Sequence, residues 1–113
     1  MDGDRDPRHP DMRSITLRQV LEAPADPVRR GIVSRPYETG TGLTRGSFDL
    51  PVGKPTATHH FRVLREAGLT RQYHVGTARM NALRSAELGE AFPGLLGAVL
   101  AAERAASARA TPA

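Results

Sequence analysis

A chain of 113 residues with 16 Lys plus Arg, 12 Asp plus Glu, a net charge of +4 and no Cys has the size of one domain with a modest core. The missing cysteines exclude disulfides, Cys-based zinc sites and thiol nucleophiles. No apolar run approaches the ~18 residues of a membrane span, and the acidic Met1–Asp6 start is unlike a signal peptide, so a soluble cytoplasmic protein with no membrane partner is expected.

In chain order, residues 1–11 mix charges and prolines without apolar periodicity and read as a disordered leader. Residues 12–106 read as the folded domain and 107–113 as a flexible tail. Thr16–Leu17–Arg18–Gln19 fits a capping box, with Leu17, Val20 and Leu21 on one helical face until Pro24 interrupts. Asp26–Pro27 restarts a helix as N-cap and first residue; Val28, Ile32 and Val33 form its stripe, and Pro36 is expected to end it.

Residues 37–51 read as a loop with at most one short helix, anchored by Leu43, Phe48 and Leu50. The spacing of Gly40, Gly42 and Gly46 does not match a dinucleotide fingerprint. Gly53–Lys54 lacks the upstream glycine of a phosphate loop, because Phe48 stands there. No nucleotide cofactor is expected.

The segment Gly53–Ala67 is predicted as an amphipathic helix stopped by Gly68. Ala57, Phe61 and Leu64 form its core stripe; Lys54, Thr58, Arg62 and Arg65 share another face, flanked by Thr56 and His59. In the alternation that follows, Leu69, Arg71, Tyr73 and Val75 interleave with Thr70, Gln72 and His74, the period of a half-buried strand. Gly76–Thr77 fits a two-residue turn, and Ala78–Leu83 returns as a second strand with Arg79 and Asn81 on one face. Pro93 is predicted to open a last helix whose broad stripe of Leu95, Leu96, Val99 and Leu100 both closes the core and supplies a dimer interface.

Charge singles out the middle of this chain. Residues 54–84 hold Lys54, Arg62, Arg65, Arg71, Arg79 and Arg84 against Glu66 alone, whereas acids and bases nearly balance elsewhere. A concentrated basic patch attracts polyanions, nucleic acid foremost. Ser47, Asp49 and His59 form no recognisable catalytic spacing, so no enzyme is expected. The adjacent His59 and His60 diverge by ~100° on a helix and make no i, i+4 ligand pair; His60 is expected in the core, and no metal site is expected.

The order helix, turn, helix, hairpin is that of a winged helix-turn-helix, and two stretches resemble the ArsR/SmtB-type transcriptional regulators. One is Leu21-Glu22-Ala23-Pro24-Ala25-Asp26-Pro27-Val28-Arg29-Arg30, similar to that family's second-helix entry. The other runs from Lys54 to Leu69 and is similar to its recognition helix, ending in Leu64-Arg65-Glu66-Ala67-Gly68-Leu69. The likeness covers roughly residues 13–103. Pro24 and the Gly- and Pro-rich 36–51 stretch depart from the pattern, the latter where most relatives carry a clear positioning helix.

The resemblance implies a mainly α fold with a small β-hairpin: a dimeric winged helix that binds double-stranded operator DNA as a homodimeric repressor. Lys54, Thr56, Thr58, His59 and Arg62 would then face the groove, Lys54 and Arg65 would position phosphates, and His74, Thr77 and Arg79 would sit in the wing. Leu17, Val20 and Leu21 of the first helix would join Leu95, Leu96, Val99 and Leu100 in the dimer interface. No inducer is identified. The competing expectation is a winged-helix module that docks an acidic protein; short polar groups and Arg rather than exposed aromatics on the 54–66 face favour DNA.

Overall fold

The computed structural model describes residues 6–110; positions 1–5 of the expected leader and 111–113 of the expected tail lie outside the described residues. Helix α1 (Leu17–Glu22) opens on the expected capping box: the Gln19 N–H donates to Thr16 Oγ1 at 3.1 Å, and the Thr16 N–H donates to Gln19 Oε1 at 2.7 Å. A 3-10 turn over Ala23–Ala25 carries Pro24, and Asp26 then caps α2 (Pro27–Thr39) by accepting from the Val28 and Arg29 N–H groups. The expected stop at Pro36 is overturned. Helix α2 runs through it to Gly40, which ends the helix at φ 73°. Pro36 forfeits the bond to the carbonyl four residues back, but its ring is buried on the same side as Ile32 and Val33, and that burial offsets the loss.

Beyond Gly40, where sequence indicated a loop, the chain forms a two-residue strand, β1 (Leu43–Thr44), and a 3-10 turn over Arg45–Ser47. No α-helix lies between α2 and α3 (Lys54–Glu66). Ala57, Phe61 and Leu64 of α3 are buried as their spacing demands. Past its end, Gly68 takes φ 84°, and the Leu69 N–H bonds back to the Leu64 carbonyl. A Cβ on Gly68 would come within 2.7 Å of the Ile15 side chain.

Strands β2 (Thr70–Val75) and β3 (Ala78–Leu83) pair across the Gly76–Thr77 turn as expected, with Val75 opposite Ala78. The sheet is antiparallel in the order β1-β3-β2. Its facing departs from simple patterning: Thr70, Gln72 and Asn81 are buried while Val75 is 61% exposed. Gln72 lies opposite Asn81 and donates to its Oδ1 at 2.9 Å. The inner face is thus polar: Gln72 and Asn81 share a bond, Thr70 Oγ1 and Asn81 Nδ2 are buried without a hydrogen-bond partner among the described residues, and the more apolar phase of β2 points outward.

Helix α4 (Ser85–Ala91) was not anticipated. Pro93 does not open the last helix: Pro93–Gly94 make the turn, Gly94 with φ 74°, and α5 spans Leu95–Ala110. Residues 107–110 of the expected flexible tail are therefore helical. Among the described residues no helix is long and apolar enough to cross a membrane.

Within residues 6–11 of the expected disordered leader, Asp6 and His9 are instead bonded to the sheet. The Gln72 N–H on β2 donates to His9 Nε2 at 2.9 Å, and Asp6 Oδ1 lies 2.8 Å from His74 Nδ1. Buried Arg84 donates to the Pro10 carbonyl and grips Glu87 of α4 with two bonds. Composition misled here because an edge strand's unpaired N–H can be met by any acceptor, including an imidazole.

Gly68→Ala is expected to cost about 2–4 kcal/mol, from the left-handed backbone and the Ile15 overlap together, read as a lowered urea midpoint. Burial, then the charges of Arg84, Arg65 and Arg71, hold His9 below its ordinary value of 6.5 against the opposing pull of Asp6. The folded state therefore binds fewer protons at His9, and its contribution is present above pH 6.5 and lost as pH falls through the lowered native value. NMR titration is expected to place the His9 imidazole below 6.5, with the hydrogen-exchange protection of the Gln72 amide falling in step; an ordinary His9 midpoint would refute the contact.

Candidate nucleic-acid interface

Helix α3 is presented to solvent by the residues on its opposite side. Phe61 is fully buried and meets Phe48 edge-on, with ring centroids 5.4 Å apart and planes at 75°. Arg45, from the 3-10 turn, lays its guanidinium over the Phe61 ring at 4.6 Å and donates to Thr58 Oγ1 at 2.9 Å. Thr58 Oγ1 in turn donates to the Lys54 carbonyl. This chain of contacts fixes the loop before α3 against the first turns of the helix.

Lys54, Thr56, Thr58, His59 and Arg62 are all exposed. They occupy the wet side of α3, with Glu66 as that helix's one acid. Arg62 stands 4.0 Å from Glu66 in an i, i+4 pair whose two side chains remain more than half exposed, a pairing too solvated to immobilise it. Thr77 and Arg79, at and beyond the hairpin turn, are exposed as well.

Arg45 was missed from the sequence. It belongs to this surface through tertiary structure, since β1 pairs Thr44 with Met80 and so brings the next residue beside the end of the hairpin. Burial lowers the Arg45 pKa, and the neighbouring charge of Arg79 lowers it further. No local pattern marks Arg45; only the cross-strand register does.

Two expected members are drawn elsewhere. Arg65 is half-buried and donates to Gln72 Oε1 at 2.8 Å, so it braces α3 to the sheet rather than facing outward. His74 is 14% exposed and engaged by Asp6, so the docked leader removes it from the hairpin's open surface. His60 is buried, with Nδ1 3.1 Å from Arg29 Nη1, while His59 is exposed. Among the described residues no three His, Cys, Asp or Glu side chains cluster as metal ligands would.

The residues expected at a dimer interface also divide. Leu17 and Leu21 are 53% and 46% exposed and available to a partner. Val20 and Leu100 are 2% and 4% exposed and serve this chain's own core; Leu95 and Leu96 pack against that core, and Val99 is half-buried. A stripe read from period alone cannot tell inward from outward packing on so short a chain.

No protein-family model matches the chain, and no curated protein matches it significantly.

The different placements of Arg62 and Arg65 can be separated by stability. Arg65→Ala leaves the Gln72 carbonyl oxygen without this partner and is expected to cost about 1–3 kcal/mol. Arg62→Ala is expected within about 0.5 kcal/mol of wild type. Urea denaturation measures both, and equal values would contradict the assignment.

Proposed function

We propose that this chain is a sequence-specific double-stranded DNA-binding transcriptional regulator, a homodimer that represses by occupying a palindromic operator. The observation that carries the reading is the exposed side of α3. It offers Lys54 at the helix start, hydroxyls at Thr56 and Thr58, an imidazole at His59 and a guanidinium at Arg62, with Arg45 and Arg79 alongside. Short hydrogen-bonding groups with Arg suit base edges, whereas Lys at a helix N-terminus suits phosphate.

The architecture supports a winged helix-turn-helix in its three-stranded sheet ordered β1-β3-β2 and a two-residue hairpin directly after α3. The first helix of the reading motif would then be reduced to the 3-10 turn at Arg45–Ser47, in agreement with the departure from ArsR/SmtB-type regulators in that stretch. In this reading α3 enters the major groove, and Arg79 and Thr77 reach the flanking backbone. The exposed Leu17 and Leu21 supply apolar surface for the second copy.

Fluorescence anisotropy at three salt concentrations, with DNA from upstream of the protein's own gene beside a scrambled duplex, tests this. Specific binding is expected to exceed scrambled binding by roughly 10³-fold or more. Arg62→Ala should lose about 1–3 kcal/mol on the operator alone, and Lys54→Ala should weaken both duplexes while flattening the salt slope by about one. Absence of binding to either duplex at low salt would overturn the reading in favour of an acidic protein partner. Leu21→Glu is expected to halve the sedimenting mass, and an unchanged dimer would exclude that surface.

A further inference from the structure

The outward face of the sheet carries a feature that neither folding nor DNA contact uses. The strand phase of β2 that holds Arg71, Tyr73 and Val75 points away from the buried Gln72–Asn81 pair. Beside it lies a cavity of about 330 Å³ between the end of α2, the approach to β1 and the start of α4. Its walls include Pro36 and Tyr37 from α2, Gly42 just before β1, Arg71 and Tyr73 from β2, and Ala82 from β3.

The lining has a definite chemistry. Both tyrosines of the chain border the cavity. The one charged side chain among the lining residues is Arg71, and no carboxylate lines it. The Arg71 guanidinium lies over the Tyr73 ring at 5.1 Å, and a guanidinium offers a fork of N–H groups that matches a planar carboxylate. Glu87, whose carboxyl is held below its ordinary value by the bond to Arg84 and in part by the charge of Arg71, is already clamped by Arg84.

Gly42 lets Tyr73 seat closely at the cavity wall. A Cβ at Gly42 would overlap the Tyr73 hydroxyl and approach the Ala82 Cβ. The volume lies at the lower end of the ~300–1,000 Å³ typical of small-ligand sites, and its accessible lining is more polar than apolar, with Thr41 and Ser85 beside the tyrosines. Aromatic walls, a single cation and no acid select a small ligand with an aromatic ring and one negative charge.

We infer that the cavity between Tyr37, Tyr73 and Arg71 binds a small aromatic carboxylate, its ring against the tyrosines and its carboxylate on the Arg71 fork. A bound ligand would bear on Gly42, which leads through β1 directly to Arg45 on the α3 surface. A role for this ligand in controlling DNA rests on the function proposed above; the binding itself does not.

Benzoate is the probe, added to the full chain and followed by the ring-proton NMR resonances of tyrosine. Tyr37 and Tyr73 are the only tyrosines; Tyr37 also borders two neighbouring cavities, so a shift of Tyr73 together with Tyr37 is what reports this one. Both rings are expected to shift saturably, with affinity falling about tenfold or more in Arg71→Gln and unchanged in Arg104→Gln. Benzyl alcohol, which lacks the charge, and cyclohexanecarboxylate, which lacks the ring, should each bind more weakly. Unmoved tyrosine resonances, or shifts that survive Arg71→Gln, would overturn the site. Because this readout contains no DNA, failure of the operator experiment would leave it standing. Tyrosine shifts with unaltered operator affinity would instead refute only the regulatory role.

Discussion

The position of α3 depends on how Phe61 is enclosed. One ring holds three things together: Phe48 meets it edge-on from the preceding loop, Arg45 covers its face, and the fully buried Leu64 continues the same stripe one turn on. Burying a Phe contributes on the order of 1.5–3 kcal/mol, but its structural effect is directional. With Phe61 turned inward, helical geometry leaves Thr58 and Arg62 outward, and Arg45 can reach Thr58 only because it already lies over the ring. The exposed cationic face follows from the enclosed aromatic one.

A second constraint sits on the other side of the helix. Arg65 bonds to Gln72, Gln72 bonds to Asn81 across the strands, and the Gln72 N–H bonds to His9. Three bonds converge on Gln72, so this network ties α3, both hairpin strands and the leader into one unit. It also divides the basic run. Arg65 and Arg84 serve the interior, whereas Lys54, Arg62 and Arg79 remain at the surface. Net charge overstates what reaches a partner.

The inward polar pair has a consequence on the opposite face of the sheet. Because strand residues alternate, committing Gln72 and Asn81 to the interior sends Tyr73 and Val75 outward. The structure thereby places an aromatic and a stacked guanidinium where an ordinary sheet of this size would present polar side chains. That same alternation separates the α3 surface from the Tyr73 cavity, with β1 as the short covalent link between them.

Local chemistry was enough to determine several elements from sequence. The Thr16–Gln19 capping box, the Asp26 cap, the Ala57–Phe61–Leu64 stripe, the Gly68 stop and the Gly76–Thr77 turn each depend on residues within a few positions of one another. The exposed members of the α3 surface were legible for the same reason, since helical period alone separates Phe61 from Arg62. Tertiary structure decided what distant partners control. Pro36 stays helical because its ring finds a core, β1 exists because β3 lies beside it, and the leader docks because β2 has an open edge. Arg45 joins the cationic surface, while Arg65, His74, Val20 and Leu100 are drawn away from their expected faces, through contacts made between elements. A one-dimensional pattern carries the period of a side chain but not the neighbour that completes its bonds, and at these positions the neighbour set the outcome.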